Sequence, residues 1–167
     1  TTPEALDLYR IFYQMTQAGQ KSMVMEVSSH ALSLARVEGV HFLAGVFTNL
    51  GRDHLDFHQT QENYFLAKRR LFEGMTDSQQ AILNADDPYS ERIKQNTGAE
   101  VYTYSLKDPA SSVSYIQHQI QKEGLQIKLR IPTGEITVKT KFLGTFNIYN
   151  IMAAAASGVG LGLPDNF

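Results

Sequence analysis

The stretch Ala44-Gly45-Val46-Phe47-Thr48-Asn49-Leu50-Gly51-Arg52-Asp53-His54-Leu55-Asp56-Phe57-His58 decides the reading of this chain. An apolar run enters it, and a loop crowded with acids and imidazoles leaves it. Open α/β sheets place their chemistry in such loops, at the C-terminal ends of buried strands. Tyr64 and the run Ala67-Lys68-Arg69-Arg70-Leu71-Phe72 follow, on a segment (residues 62–73) whose pattern predicts a helix.

Outward from this stretch, strand and helix patterns alternate. Thr2-Pro3-Glu4 reads as a helix start, with a hydroxyl cap, Pro at the first helical position and an acid in the first turn. Leu8, Phe12 and Met15 recur at helical spacing, Leu6 and Ile11 broaden the apolar side, and Gly19 is the stop. Met23-Val24-Met25-Glu26-Val27 reads as a buried strand. Ser28-Ser29-His30 breaks it, and a short helix runs through Leu32 and Leu34. Strands are expected at 46–50, at 81–85 before Asp86-Asp87-Pro88, and at 101–104, with a helix at 90–95. The period then changes. Leu125, Ile127, Leu129 and Ile131 alternate strictly with polar residues, Pro132-Thr133-Gly134 turns, and Ile136 and Val138 resume the alternation. That is a half-buried antiparallel ribbon. Residues 147–158 return to helix.

The fold class expected is therefore α/β: a mostly parallel sheet with helices on both faces, plus a small antiparallel β ribbon at one edge or flank. The division expected is an α/β core over 1–112, the ribbon over 113–141, and a helix and domain end over 142–167.

The 167 residues suffice for one domain with a substantial core. Net charge is −2 with no block of like charges, which argues against a general nucleic-acid or anionic-membrane surface. The absence of cysteine excludes disulfides and thiolate chemistry, and fits a reducing cytoplasm. No apolar run approaches the roughly 20 residues of a membrane span, and no signal peptide is evident. The chain opens on Thr1-Thr2-Pro3, directly at a helix start and without an initiator Met, and so reads as a piece of a longer protein.

Several residues could carry chemistry. Glu26 ends an apolar run, the position from which a nucleotide-binding protein holds magnesium against phosphates; it could equally make local hydrogen bonds. Asp53, His54, Asp56 and His58 could bind a divalent metal, do acid–base work or stabilise the turn. Lys68, Arg69 and Arg70 suit either a solvated face or nearby phosphates. Asn147 and Asn150 face the same way at i and i+3, and an amide suits an adenine edge; Asn147 could instead cap its helix. Gly158, Gly160 and Gly162 do not follow a strand as a dinucleotide fingerprint requires, and no G-x-x-x-x-G-K-[ST] loop occurs.

Together the motifs Thr1-Thr2-Pro3-Glu4, Met25-Glu26-Val27-Ser28-Ser29-His30-Ala31-Leu32, Arg36-Val37, Phe47-Thr48-Asn49-Leu50, Arg52-Asp53-His54-Leu55-Asp56-Phe57-His58, Ala67-Lys68, Asn84-Ala85-Asp86-Asp87 and Gly144-Thr145-Phe146-Asn147-Ile148-Tyr149-Asn150 cover nearly the whole chain. In this order they resemble the central, P-loop NTPase-like domain of the ATP-dependent Mur ligases of bacterial peptidoglycan synthesis, of the MurE type. The resemblance implies a ligase that adds a third amino acid, L-lysine or meso-diaminopimelate, to UDP-MurNAc-L-Ala-D-Glu through an acyl-phosphate. It implies ATP and Mg2+. By the same resemblance Glu26 and His54 match magnesium ligands. Lys68 matches a carbamylated lysine that helps hold a second magnesium, so His54 and Lys68 are the catalytic candidates. Thr1, Thr2, Ser28 and Arg36 match positions that contact the UDP-muramoyl-dipeptide, and Asn147 and Asn150 match adenine-side positions. His30, Asp53, Asp56 and His58 are assigned to positioning.

Leu34 departs from the pattern, standing where some relatives carry a substrate-contacting Gln. The phosphate loop, the uridine-binding N-terminal domain and the C-terminal domain that completes the amino-acid site are expected outside these residues. The piece alone is accordingly expected to be inactive. Three rival readings are a folylpolyglutamate- or cyanophycin-synthetase-like amide ligase, a metal-dependent hydrolase built on the His54 cluster, and a non-catalytic binding module.

Overall fold

The computed structural model describes residues 2–164. Its elements run α1 (Ala5–Gln17), α2 (Ser29–Ser33), β1 (Ala44–Phe47), α3 (Leu55–His58), α4 (Gln61–Glu73), β2 (Gln80–Asn84), α5 (Tyr89–Lys94), β3 (Glu100–Ser105), β4 (Val113–Gln121), β5 (Gly124–Ile131), β6 (Gly134–Thr140) and α6 (Thr145–Gly160). The chain divides into two compact units, Thr1–His41 with Arg52–Leu71, and Phe42–Gly51 with Phe72–Phe167.

The second unit holds one six-stranded mixed sheet in the order β1-β2-β3-β4-β5-β6. β1, β2, β3 and β4 pair in parallel, the last pair through only Tyr104↔Val113 and Ser105↔Ser114. β4, β5 and β6 are antiparallel. The ribbon read from the sequence is thus the far end of the main sheet, and it has three strands because β4 joins it. Gly124 makes the β4–β5 turn possible. Its φ is 138°, and a Cβ there would lie 2.0 Å from the Thr140 carbonyl oxygen.

Alternation decides what the sheet buries. Leu125, Ile127, Leu129 and Ile131 all point one way, and none is more than 5% exposed. They form one cluster with Ile82, Tyr104 and Val113 of the sheet and Ile148, Met152, Ala153, Ala155 and Ala156 of α6. The small residues of α6 let that helix lie close to the strands. Gly160 continues this surface, and a Cβ there would come within 3.1 Å of both Ile82 and Tyr102.

Three expectations are corrected. Residues 23–27 form no strand, and Val24 is fully exposed. A strand exists only beside a hydrogen-bonded neighbour, and among the described residues none pairs with this segment. Thr2 does not cap α1: its hydroxyl donates to the Glu26 carbonyl at 2.9 Å and accepts from Ser28 N–H at 3.0 Å. The helix begins two residues past Pro3, after Glu4, and Leu6 is 81% exposed rather than part of a covered face. Finally, β1 ends at Phe47 instead of running over 46–50. Side chains from the next strand end take over: Asn84 Nδ2 donates to the Thr48 carbonyl and Leu50 N–H donates to Asp87 Oδ2, both at 2.8 Å.

Asp86 is the most connected of these strand-end groups. It accepts from Ser105 Oγ at 2.6 Å, Leu106 N–H at 2.8 Å and Tyr149 Oη at 2.8 Å. Burial alone would raise its carboxyl. The hydrogen bonds from Ser105, Tyr149 and Leu106, with the charge of Lys107, outweigh burial and hold it below the ordinary carboxylate range.

Two outcomes follow from this packing. Leu129→Ala leaves a cavity under α6 in a fully buried layer and should cost about 2–5 kcal/mol in urea unfolding; a loss under about 1 kcal/mol would show that the layer collapses freely. Asp86→Asn should destabilise at neutral pH. Because the folded carboxyl lies below its unfolded value, its contribution is present above about pH 3.9 and is lost as pH falls through the folded value. The gap between the two unfolding midpoints should therefore close on acidification; a gap that stays constant to pH 3 would count against the network.

Candidate functional site

In the first unit the acid- and imidazole-rich loop folds into a ring cluster. His54 adopts a left-handed conformation (φ 61°) at the start of α3, a backbone state that His tolerates better than most residues. Its carbonyl accepts from Phe57 and His58 N–H, closing the single turn. The His30 ring lies 4.9 Å from His54 at 90°, and 4.1 Å from Phe57. His58 is buried, stacks on Tyr64 at 5.2 Å and 22°, and shares a 2.9 Å hydrogen bond between its Nε2 and Ser29 Oγ. Burial, the His30 and His54 imidazoles and the Lys68 charge hold His58 below the usual histidine range, against the opposing pull of Asp56. Its ring is therefore neutral at physiological pH.

Tyr64 is the shared platform. It is 5% exposed, and its hydroxyl is pushed up by burial and by the charge of Asp53. His54 meets its ring at 5.8 Å and 84°, while Lys68 Nζ stands 5.3 Å from its centroid. The structure thus brings His54 and Lys68 to one side chain. It also separates Lys68 from its neighbours: Arg69 lies over Phe65, and Arg70 reaches the Leu32 carbonyl. No sequence pattern by itself gives Tyr64 or Ser29 a role. The i, i+4 spacing of Tyr64 and Lys68 was the available signal.

A second cluster gathers three of the substrate-side candidates. Thr2 is buried, and its hydroxyl is committed to the 26–28 backbone, so it orders that segment. Ser28 Oγ caps α2 by accepting from Ala31 N–H at 3.2 Å, which leaves its proton to donate elsewhere. Arg36 donates from Nη1 to the Thr2 carbonyl at 3.3 Å and pairs through Nη2 with Glu4 at 2.5 Å. Its Nε is buried without a partner. Glu26 is exposed, and its backbone is held by Thr2. Thr1 lies outside the described residues.

Among the described residues, no three His, Asp or Glu side chains are grouped so that they alone could hold a metal ion. The three side chains to which the resemblance points offer a carboxylate (Glu26), an imidazole (His54) and an amine (Lys68). As an ammonium, Lys68 would repel a cation. As a carbamate it would add an oxygen ligand of the kind magnesium takes, with waters and substrate phosphates completing the shell.

In the second unit, Asn147 and Asn150 stand on the first turns of α6. Asn147 Nδ2 donates back to the Leu143 carbonyl at 2.8 Å, and Asn150 is exposed. Between them Tyr149 donates to Asp86, and its hydroxyl is pushed up to about 12 by burial and by that carboxylate. No helix among the described residues is long and apolar enough to cross a membrane.

The Mur ligase middle domain family model matches residues 1–158. The UDP-N-acetylmuramoyl-L-alanyl-D-glutamate--2,6-diaminopimelate ligase of Geobacter metallireducens is 44% identical over 172 aligned residues, covering 99% of this chain and 34% of the relative. A solved structure of a ligase with the same name superposes with a TM-score of 0.88 at 30% identity, over 98% of this chain and 34% of the other. The MurF ligase of Thermotoga maritima in complex with ADP shares the fold, with a TM-score of 0.66 at 15% identity over 84% of this chain and 32% of its own. The chain thus spans about a third of the length of the relatives it matches. On this extent of similarity, the chain belongs to the Mur ligase family, as a middle domain resembling the MurE type.

Proposed function

We propose that this chain is the ATP-binding central domain of a cytoplasmic MurE-type ligase, which adds meso-diaminopimelate to UDP-MurNAc-L-Ala-D-Glu in peptidoglycan precursor synthesis. The observation that carries this reading is 40–44% identity, along nearly the whole chain, to relatives named for that activity. Diaminopimelate is preferred over L-lysine for the same reason. A hydrolase built on the His54 loop finds less support, because the relatives that match along nearly the whole chain are named as ligases.

In this reading ATP transfers its γ-phosphoryl group to the terminal carboxylate oxygen of the dipeptide and leaves as ADP. The amine of the incoming amino acid then attacks the acyl carbon; the C–O bond to phosphate breaks, and the amine gives up its proton. Magnesium would supply charge neutralisation on the phosphates. Glu26, His54 and a carbamylated Lys68 would hold it, and Tyr64 would fix the side chains of His54 and Lys68 on one platform. Thr1, Ser28 and Arg36 would grip the UDP-muramoyl-dipeptide, and Thr2, its hydroxyl already committed, would hold the segment that carries Ser28. The unpartnered Arg36 Nε supports this, since a buried donor without an acceptor is costly and a substrate oxygen would satisfy it. Asn147 and Asn150 would face the adenine.

The direct test is ADP release by the longer protein that contains this chain. Release should require both UDP-MurNAc-L-Ala-D-Glu and diaminopimelate. Equal release with folate and glutamate, or without any acceptor, would overturn the assignment.

Two sets of variants test the residue roles. Glu26→Ala and His54→Ala remove exposed side chains and should leave the fold intact, while each lowers turnover by about 10²–10³; near-parental turnover at limiting magnesium would remove that residue from the ligand set. Lys68→Ala should abolish most activity, and short-chain carboxylic acids should restore part of it by replacing the missing oxygen ligand. Lys68→Arg restores only positive charge and should stay inactive; full activity in that variant would end the carbamate role.

A further inference from the structure

The start of α6 is weakly held by its own sequence. Gly144 occupies the cap position with φ 93° and provides no side-chain cap, and Phe146 in the first turn is 82% exposed. Ile148 and Met152 anchor the helix through apolar burial. Such burial is non-directional and fixes neither the rotation of the helix nor its slide along the sheet. Both asparagines proposed to face the adenine lie on this stretch.

A directional contact ties this stretch to the sheet. Tyr149 Oη donates to Asp86 Oδ2 at 2.8 Å. The acceptor is itself immobilised: Asp86 receives Ser105 Oγ and Leu106 N–H from the end of β3, and its own N–H donates to Asn84 Oδ1 at 3.1 Å. A charge-assisted hydrogen bond to a carboxylate held at three other points is a stiff tether. Successive helix residues are turned by about 100°, so fixing Tyr149 fixes the side of the helix on which its neighbour Asn150 stands, and Asn147 one turn before Asn150.

We propose that Asp86 and Tyr149 are positioning residues for the nucleotide. Tethered to the strand end, Tyr149 sets the rotation of the first turns of α6 and with it the placement of the asparagine pair. This inference rests on the reading that Asn147 and Asn150 face the adenine. It assigns a function to Asn84-Ala85-Asp86-Asp87 beyond holding the sheet together, and it predicts an effect on nucleotide recognition instead of on the chemical step.

Tyr149→Phe keeps the ring and removes only the tether, and would be tested in the longer protein. The KM for ATP should rise about tenfold while kcat stays within about twofold. The KM for the UDP-linked substrate should not move, and the preference for ATP over GTP should fall. In an Asn150→Ala background the same change should add less than about twofold to the ATP KM, because the tether would have nothing left to position. A lower melting temperature with unchanged ATP KM and unchanged nucleotide preference would overturn the proposal and leave a purely structural bond. The underlying reading fails separately: if Asn150→Ala itself leaves the ATP KM unchanged, that asparagine does not face the adenine, whatever Tyr149→Phe does.

Discussion

Parallel strands cannot be closed by tight turns, so their C-terminal ends leave the sheet with backbone groups to satisfy. Three residues of the run Asn84-Ala85-Asp86-Asp87 answer that constraint here. Asn84 holds the Thr48 carbonyl beyond β1, and its own carbonyl accepts from Ser90 Oγ beside the start of α5. Asp86 holds the end of β3 and a residue of α6. Asp87 accepts from Leu50 N–H and from Tyr89 N–H, tying the chain beyond β1 to the first turn of α5. Side chains therefore do at the strand ends what the ladder does inside the sheet. The segments that leave those ends start from fixed points.

What could be read from the sequence tracks how local the determining physics is. Apolar runs and strict alternation are local, so the strands around 82 and 102 and the buried face of Leu125, Ile127, Leu129 and Ile131 were legible. β4 was not singled out as a strand. Val113-Ser114-Tyr115-Ile116-Gln117-His118-Gln119-Ile120-Gln121 has an exposed distal half in which even Ile120 is 75% exposed, and its strand character comes from its partners β3 and β5. The expected strand over 23–27 failed for the complementary reason: apolar residues were present, but no neighbour among those described pairs with them. The partners of the Thr2 hydroxyl lie 24 and 26 residues away, beyond the reach of any capping pattern.

The candidate site divides in the same way. The loop over 52–58 announces itself by composition, but the residue that organises it, Tyr64, is an ordinary aromatic on an amphipathic helix until its ring contacts are known. Lys68, Arg69 and Arg70 are indistinguishable as letters. Helical geometry separates them by about 100° per residue, sending the first over Tyr64, the second over Phe65 and the third to the Leu32 carbonyl. The first shares its platform with an imidazole. That is the structural ground for treating one cation of the three as chemically special.

The two ends of α3 explain how a short exposed loop keeps a defined shape. At one end His54 takes a left-handed conformation, which costs energy for any residue bearing a Cβ and persists only when its surroundings impose it. At the other, His58 is buried against Tyr64 and joined to Ser29. That bond links the loop to the first turn of α2, next to the Ser28 cap. A neutral imidazole presents one donor and one acceptor, so it can exchange a hydrogen bond with a hydroxyl in either tautomer and give its other nitrogen a different role. Burial and the neighbouring imidazoles favour that neutral state. The anchoring of His58 thus supplies the constraint under which the strained His54 backbone is maintained. It makes the exposed imidazole at the loop entrance a consequence of the buried one at its exit.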